Sequence, residues 1–160
     1  MTDALRQQLA KMLDGVGARM PFDEAVADFP DDAMNARPPN VEYTPWQLLE
    51  HLRITQRDIL DYVLGDDYVE ITWPDDYWPD RDATATREQF DETIRAFRSD
   101  LAALRRLVLD PGRDLYAVIP GSPGHTLLRE VRIVADHNAY HVGEFAILRQ
   151  VMGTWPEGHE

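Results

Sequence analysis

Apolar residues recur at three- and four-residue intervals in four segments of the chain, the spacing of helices buried along one side. The first predicted helix covers about residues 3–20, with Leu5, Leu9, Met12 and Val16 on its stripe. The second begins at Thr44-Pro45-Trp46-Gln47. There Thr44 can cap, Pro45 suits the first helical position, and Gln47 completes a capping box. Its stripe passes through Leu49, Leu52, Ile59 and Val63 to Gly65, a left-handed stop. The third opens on another capping box, Thr86 to Gln89, follows Phe90, Ile94, Phe97 and Leu104, and ends before Pro111-Gly112. The fourth starts near Thr126 and keeps Leu127, Val131, Val134, His141, Phe145 and Leu148 on one stripe until Gly153.

These elements predict an all-α fold, a four-helix bundle, in a single domain spanning residues 1–160. The connections 21–43 and 111–125 are long, which suggests crossovers rather than a plain up-down-up-down path. Between the second and third helices, residues 66–85 form an acidic and aromatic loop containing ITWPDDYWPD. A loop of this length is often functional or a partner surface. Its Trp73, Tyr77 and Trp78 would cover a pocket mouth, form a dimer contact, or simply pin the loop to the bundle; local pinning is the plainer reading.

Composition narrows the chemistry. The 160 residues suffice for a real core without metal or disulfide staples, so a metal here would serve chemistry more than folding. With no cysteine, disulfides, thiolate ligands and cysteine nucleophiles are excluded, and any metal must sit on nitrogen and oxygen. A formal charge of −13 disfavours a grip on nucleic-acid phosphates. No apolar run approaches a membrane span and the N-terminus does not read as a signal peptide, so the expected location is the cytoplasm. Nucleotide-binding glycine motifs and the G-x-S-x-G of serine hydrolases do not occur.

Three of the five histidines then stand out. His137 and His141 are four apart in the fourth helix, so they project from successive turns of one face about 6 Å apart along the axis, a spacing that suits two ligands on one ion. Glu144 shares that face and is a candidate for proton transfer or for orienting a ligand. His51, on the second helix, lies at the edge of its apolar stripe. The plain alternative is a metal-free bundle with half-buried histidines. His125 is about 18 Å of helical rise from His137 and reads as a loop or helix-start residue. His159 belongs to a fraying tail. Asp136 reads as a solvated helix charge and Trp46 as core; Asp58, on the same edge as His51, could line a pocket, but an ordinary surface carboxylate is the plainer reading.

Thr44-Pro45-Trp46-Gln47-Leu48-Leu49-Glu50-His51, together with Ala135-Asp136-His137-Asn138-Ala139-Tyr140-His141-Val142-Gly143-Glu144, resembles the two signature segments of the DinB-like superfamily, also called DinB/YfiT-like metalloenzymes. The likeness extends over nearly the whole chain. It implies an up-down-down-up four-helix bundle, commonly a homodimer. It also implies a divalent metal on one histidine of the second helix and an H-x3-H pair of the last, which fall on His51, His137 and His141. Characterised relatives include S-transferases that use low-molecular-weight thiols such as bacillithiol or mycothiol.

Three histidine ligands leave a position open, as in catalytic rather than structural sites. Such a site would lower the pKa of a bound thiol that attacks an electrophile, or activate water for hydrolysis, with Glu144 as the catalytic group and Asp136 and Tyr140 as weaker candidates. The expected function is therefore a metal-dependent thiol S-transferase. The alternatives are a metal-dependent hydrolase and a non-catalytic metal-binding stress-response dimer. Three imidazoles suit zinc and nickel, with iron also compatible.

Overall fold

Whether a capping signal becomes a helix end depends on whether the side chains close their local hydrogen bonds, and here they do. The computed structural model describes residues 3–65 and 67–159; Met1, Thr2, Asp66 and Glu160, including the first residue of the predicted loop, lie outside the described residues. The described residues form five α-helices: α1 (Asp3–Leu13), α2 (Phe22–Val26), α3 (Pro45–Leu64), α4 (Arg87–Leu109) and α5 (Leu127–Met152). The described residues contain no strand, so the fold is all-α, with one isolated bridge between Val118 and Thr126.

At the start of α3 the Thr44 hydroxyl accepts from the Gln47 amide at 3.2 Å, and the Gln47 side chain accepts from the Thr44 amide at 3.0 Å. Thr86 and Gln89 repeat the box on α4 at 3.2 and 2.8 Å. Gly65 and Gly153 take left-handed φ values of 74° and 64°, ending α3 and α5 where their apolar stripes stop.

The first helix is shorter than its stripe suggests. It ends at Leu13 because Gly15 turns left-handed at φ 73° and the Val16 amide reaches back to the Lys11 carbonyl. The Arg19 guanidinium takes up the Met12 and Leu13 carbonyls at 3.0 and 3.2 Å. Val16, expected on the buried stripe, is 66% exposed, and Met12 is exposed as well.

Helix directions follow from cross-helix pairs. Glu50 accepts from Thr93, Gln56 donates to the Phe97 carbonyl and Arg57 pairs with Asp100, so α3 and α4 run parallel. Asn138 donates to Gln56, and Tyr62 is hydrogen-bonded to His125 just before α5, so α5 runs antiparallel to α3. Arg6 reaches the Val108 carbonyl while Asp14 pairs with Arg105, so α1 is antiparallel to α4. The four long helices are thus up-down-down-up, with α3 packed mainly on α4 and α5, and α1 packed on the other side of the same two.

Parallel α3 and α4 have a consequence for the 66–85 loop. Twenty residues of α3 rise about 30 Å, and the chain must return that distance before α4 can start. The return runs along α3, where Gln47 donates to the Asp80, Arg81 and Ala83 carbonyls.

Two apolar clusters fill the interior. One joins Ile59, Leu60 and Val63 to Leu104, Val108 and Val131. The other joins Leu48, Leu52, Phe90, Phe97 and Phe145 to Val26, Phe29 and Met34, so the irregular 21–43 segment supplies core as well as connection. Arg149, fully buried, ties that segment down by donating to the Ala25 and Ala27 carbonyls at 2.8 and 2.6 Å. No described helix is long and apolar enough to cross a membrane.

Candidate metal centre

The antiparallel pairing of α3 and α5 brings the first turns of one helix to the middle of the other. His51, two turns into α3, therefore faces His137 and His141 on successive turns of α5. Ring centroids are 5.0 Å apart for His51 and His137, 4.8 Å for His51 and His141, and 4.5 Å for His137 and His141. One nitrogen from each ring lies within 4.8 Å of the others, a group that could hold a metal ion.

His51 Nε2 and His137 Nε2 are 3.1 Å apart. Two lone pairs at that distance repel unless something positive sits between them, either a shared proton or a cation. Nitrogens bound tetrahedrally to one ion at 2.0–2.1 Å lie about 3.3–3.4 Å apart, so this pair already has nearly the separation an ion requires. The widest separation must draw in by roughly 1.4 Å to match.

The distal nitrogens have partners that set the tautomers. His51 Nδ1–H donates to the Tyr77 carbonyl at 2.8 Å, which leaves Nε2 bare toward the cluster. His141 Nδ1–H donates to Glu144 Oε2 at 2.6 Å, which frees its Nε2 likewise. The Nδ1 of His137 is buried and has no hydrogen-bond partner among the described residues. Glu144 also accepts from the Tyr43 hydroxyl. Trp78 lies flat on the His51 ring, centroids 3.9 Å apart and planes 4° from parallel. His51 is consequently only 2% exposed.

Burial and mutual repulsion disfavour the charged forms of His51 and His137. Burial, followed by the neighbouring His141 and His51, drives the His137 pKa down to about 3. Burial also lowers His51, with the Tyr77 carbonyl working in the opposite sense. At Glu144 burial opposes the charge, but hydrogen bonds from His141 and Tyr43 and the nearby imidazoles outweigh it, so the pKa falls below the usual carboxylate value. Burial and then the Glu144 carboxylate push the Tyr43 phenol up, so it remains a donor. At neutral pH His51 and His137 are neutral nitrogen donors beside one anion, a set that suits a divalent transition metal.

The profile of the DinB superfamily matches residues 16–145. The chain belongs to the DinB superfamily. No curated protein and no solved structure gives a significant match. In this DinB chain the residues singled out from sequence separate cleanly. His125 stays away from the cluster, bonded to Tyr62 at 2.8 Å, and His159 stacks on Trp155. Asp136 pairs with Arg132 one turn earlier on the exposed face of α5. Tyr140 is 70% exposed, with its ring edge-on to His141. Trp46 packs against the core and donates to Thr93 at 3.3 Å.

Sequence reasoning did not find Tyr43, which stands one residue before the α3 cap and 101 residues from its partner Glu144. It weighed Tyr77 and Trp78 as loop packing, whereas both contact a candidate ligand directly. Asp58 is not an ordinary surface carboxylate: it is half-buried and accepts from the hydroxyls of Tyr68 and Tyr77 at 3.0 and 2.7 Å. Burial, then Asp58 itself, raises both phenols above their ordinary pKa. Clefts of about 650 and 530 Å³ flank the second half of α3 and share Asp58 and Tyr68; neither is lined by the three histidines.

Proposed function

We propose that this DinB-superfamily chain is a metal-dependent enzyme of the thiol S-transferase type. His51, His137 and His141 serve as ligands of one divalent transition metal, zinc or nickel before iron, and Glu144 serves as its proton-transfer group. The observation that carries the reading is the convergence of three imidazoles, two of them oriented by a carbonyl and a carboxylate. Three protein ligands leave a position for a reacting molecule. A bound divalent ion would supply a Lewis acid that lowers the pKa of a thiol brought to that position.

The protein's own part is positional and electrostatic. Glu144, kept anionic by His141 and Tyr43, stands one hydrogen bond from the cluster and can take the proton that such a thiol loses. Tyr43 can then stabilise or pass on that proton from the other side of the carboxylate. Trp78 excludes water from the buried side of His51. The choice of a thiol as nucleophile rests on family membership alone.

The test is thiol consumption by zinc- or nickel-loaded protein offered low-molecular-weight thiols and a panel of electrophiles. Turnover that disappears in His141→Ala and falls about 10²–10⁴-fold in Glu144→Gln supports the proposal. A fully loaded protein inert toward every pair, and toward hydrolysable esters and amides, favours a second reading: a metal-binding protein without turnover. The flat cover of Trp78 over His51, with the large clefts elsewhere, supports that alternative.

A further inference from the structure

Gln47, His51 and Asp58 fall within about 40° of one another around α3 at 100° per residue, so they form one polar stripe along the helix. All three residues hold the returning 67–85 segment. Gln47 takes the Asp80, Arg81 and Ala83 carbonyls, His51 takes the Tyr77 carbonyl, and Asp58 takes the Tyr77 and Tyr68 hydroxyls. The segment is acidic, with Asp67, Glu70, Asp75, Asp76, Asp80 and Asp82 against a single Arg81. Its neighbour across Asp58 is also acidic, since Asp61 follows one turn later on α3. No ion pair joins the segment to α3 among the described residues. Directed hydrogen bonds hold it there, with Trp78 packed against the core.

Tyr77 is where these bonds meet. Its hydroxyl donates to Asp58 at 2.7 Å while its carbonyl accepts from His51 Nδ1–H at 2.8 Å, and the next residue, Trp78, covers the His51 ring. Tyr68, on the other oxygen of the same carboxylate, fixes the start of the segment at 3.0 Å. A neutral imidazole carries one N–H, and the partner that accepts it decides which nitrogen keeps its lone pair. Held against the Tyr77 carbonyl, His51 is bare at Nε2, the atom facing His137. Without that acceptor the proton is free to occupy Nε2 and block the lone pair.

We infer that Asp58 is a positioning residue for the His51 ligand atom: by gripping two tyrosine hydroxyls it places the Tyr77 carbonyl that sets the His51 tautomer and the Trp78 ring that shields it. This rests on the three-histidine metal reading. Partners of this kind typically change metal affinity 10–100-fold when removed. Asp58 does so from about 10 Å along the helix, touching neither the ion site nor the imidazole. Because Gln47 secures the far end of the segment independently, loss of Asp58 releases the Tyr77 end without freeing the whole loop.

The test compares wild type with Asp58→Ala, Asp58→Asn, Tyr77→Phe and the Asp58→Ala/Tyr77→Phe pair, using two readouts. One is zinc affinity by competition with a chromophoric chelator. The other is the His51 tautomer in metal-free protein, from long-range proton–nitrogen NMR correlations. Asp58→Ala is expected to weaken zinc binding 10–100-fold and to populate the Nε2–H form of His51. Asp58→Asn, which keeps one acceptor oxygen, is expected to fall between, and the double variant to lose less than the product of the two singles. Leu104→Ala, at the other end of the bundle, lowers stability and is expected to leave zinc affinity unchanged.

Zinc binding by Asp58→Ala within twofold of wild type, with His51 still protonated at Nδ1, overturns the inference; so does an equal loss in Leu104→Ala. If wild type binds neither zinc nor nickel, the metal reading fails by itself. The tautomer comparison on metal-free protein then still decides whether Asp58 positions His51.

Discussion

Mild acid is expected to destabilise the metal-free protein through His137. Its pKa is about 3 in the folded chain, against an ordinary value of 6.5, because the ring is buried beside two other imidazoles. Between those values the unfolded chain binds a proton that the folded chain refuses. Stability therefore rises with pH across this window and falls on acidification, by about 1.4 kcal/mol per pH unit for one full proton. Going from pH 7 to pH 5 removes about 2 kcal/mol on this basis, out of the roughly 5–15 kcal/mol typical of a folded domain. His51, also lowered by burial, acts with the same sign. Glu144 acts below this range: its depressed pKa contributes stability that is present above the unfolded value of 4.5 and is lost as pH falls through the folded one. Urea unfolding of metal-free wild type and His137→Gln between pH 7 and pH 5 isolates the effect. The wild type is expected to lose about 2 kcal/mol more than the variant over that interval. Parallel pH profiles in the two proteins would refute the assignment of a buried, proton-refusing His137.

Other perturbations have expected outcomes fixed by the same contacts. Arg149→Met removes donors to three carbonyls and a cation–π contact 4.0 Å above Trp155, and is expected to cost about 2–4 kcal/mol in denaturant unfolding; Arg149→Lys is not expected to restore it, because an ammonium lacks the planar fork. Thr44→Ala breaks the α3 capping box next to Tyr43 and is expected to lower stability by about 1 kcal/mol in thermal or urea melts. Asp136→Ala, on an exposed ion pair, is expected to stay within about 0.5 kcal/mol of wild type in the same measurements.

What could be read from sequence was local. The ends of α3, the start of α4 and both ends of α5 are written in short-range signals, Thr44 with Gln47, Thr86 with Gln89, Thr126, Gly65 and Gly153, and each closes its bonds within one turn. The convergence of His51 with His137 and His141 was anticipated through the likeness of their two segments to the DinB signatures; the i,i+4 spacing and the helix-edge position alone left a metal-free bundle open. The end of α1 was not. Val16 continues the apolar period, but Gly15 and the Arg19 cap override it. Nor were Tyr43, Tyr77 and Trp78 legible as site residues. Their roles depend on how irregular chain returns past α3, and neither periodicity nor capping encodes that path. Asp58 was misread for the same reason, its partners lying 10 and 19 residues further along in the loop.

The central claim is that three histidines from two helices form one metal site, and the most direct test is the metal content of tag-free protein. Wild type and His141→Ala would be loaded with zinc or nickel, dialysed exhaustively without chelator and analysed for metal per chain. Close to one ion per wild-type chain, lost in the variant, is the expected result. A wild type that retains no metal, or a variant that retains as much, would contradict it and leave the three imidazoles as packing residues of the bundle.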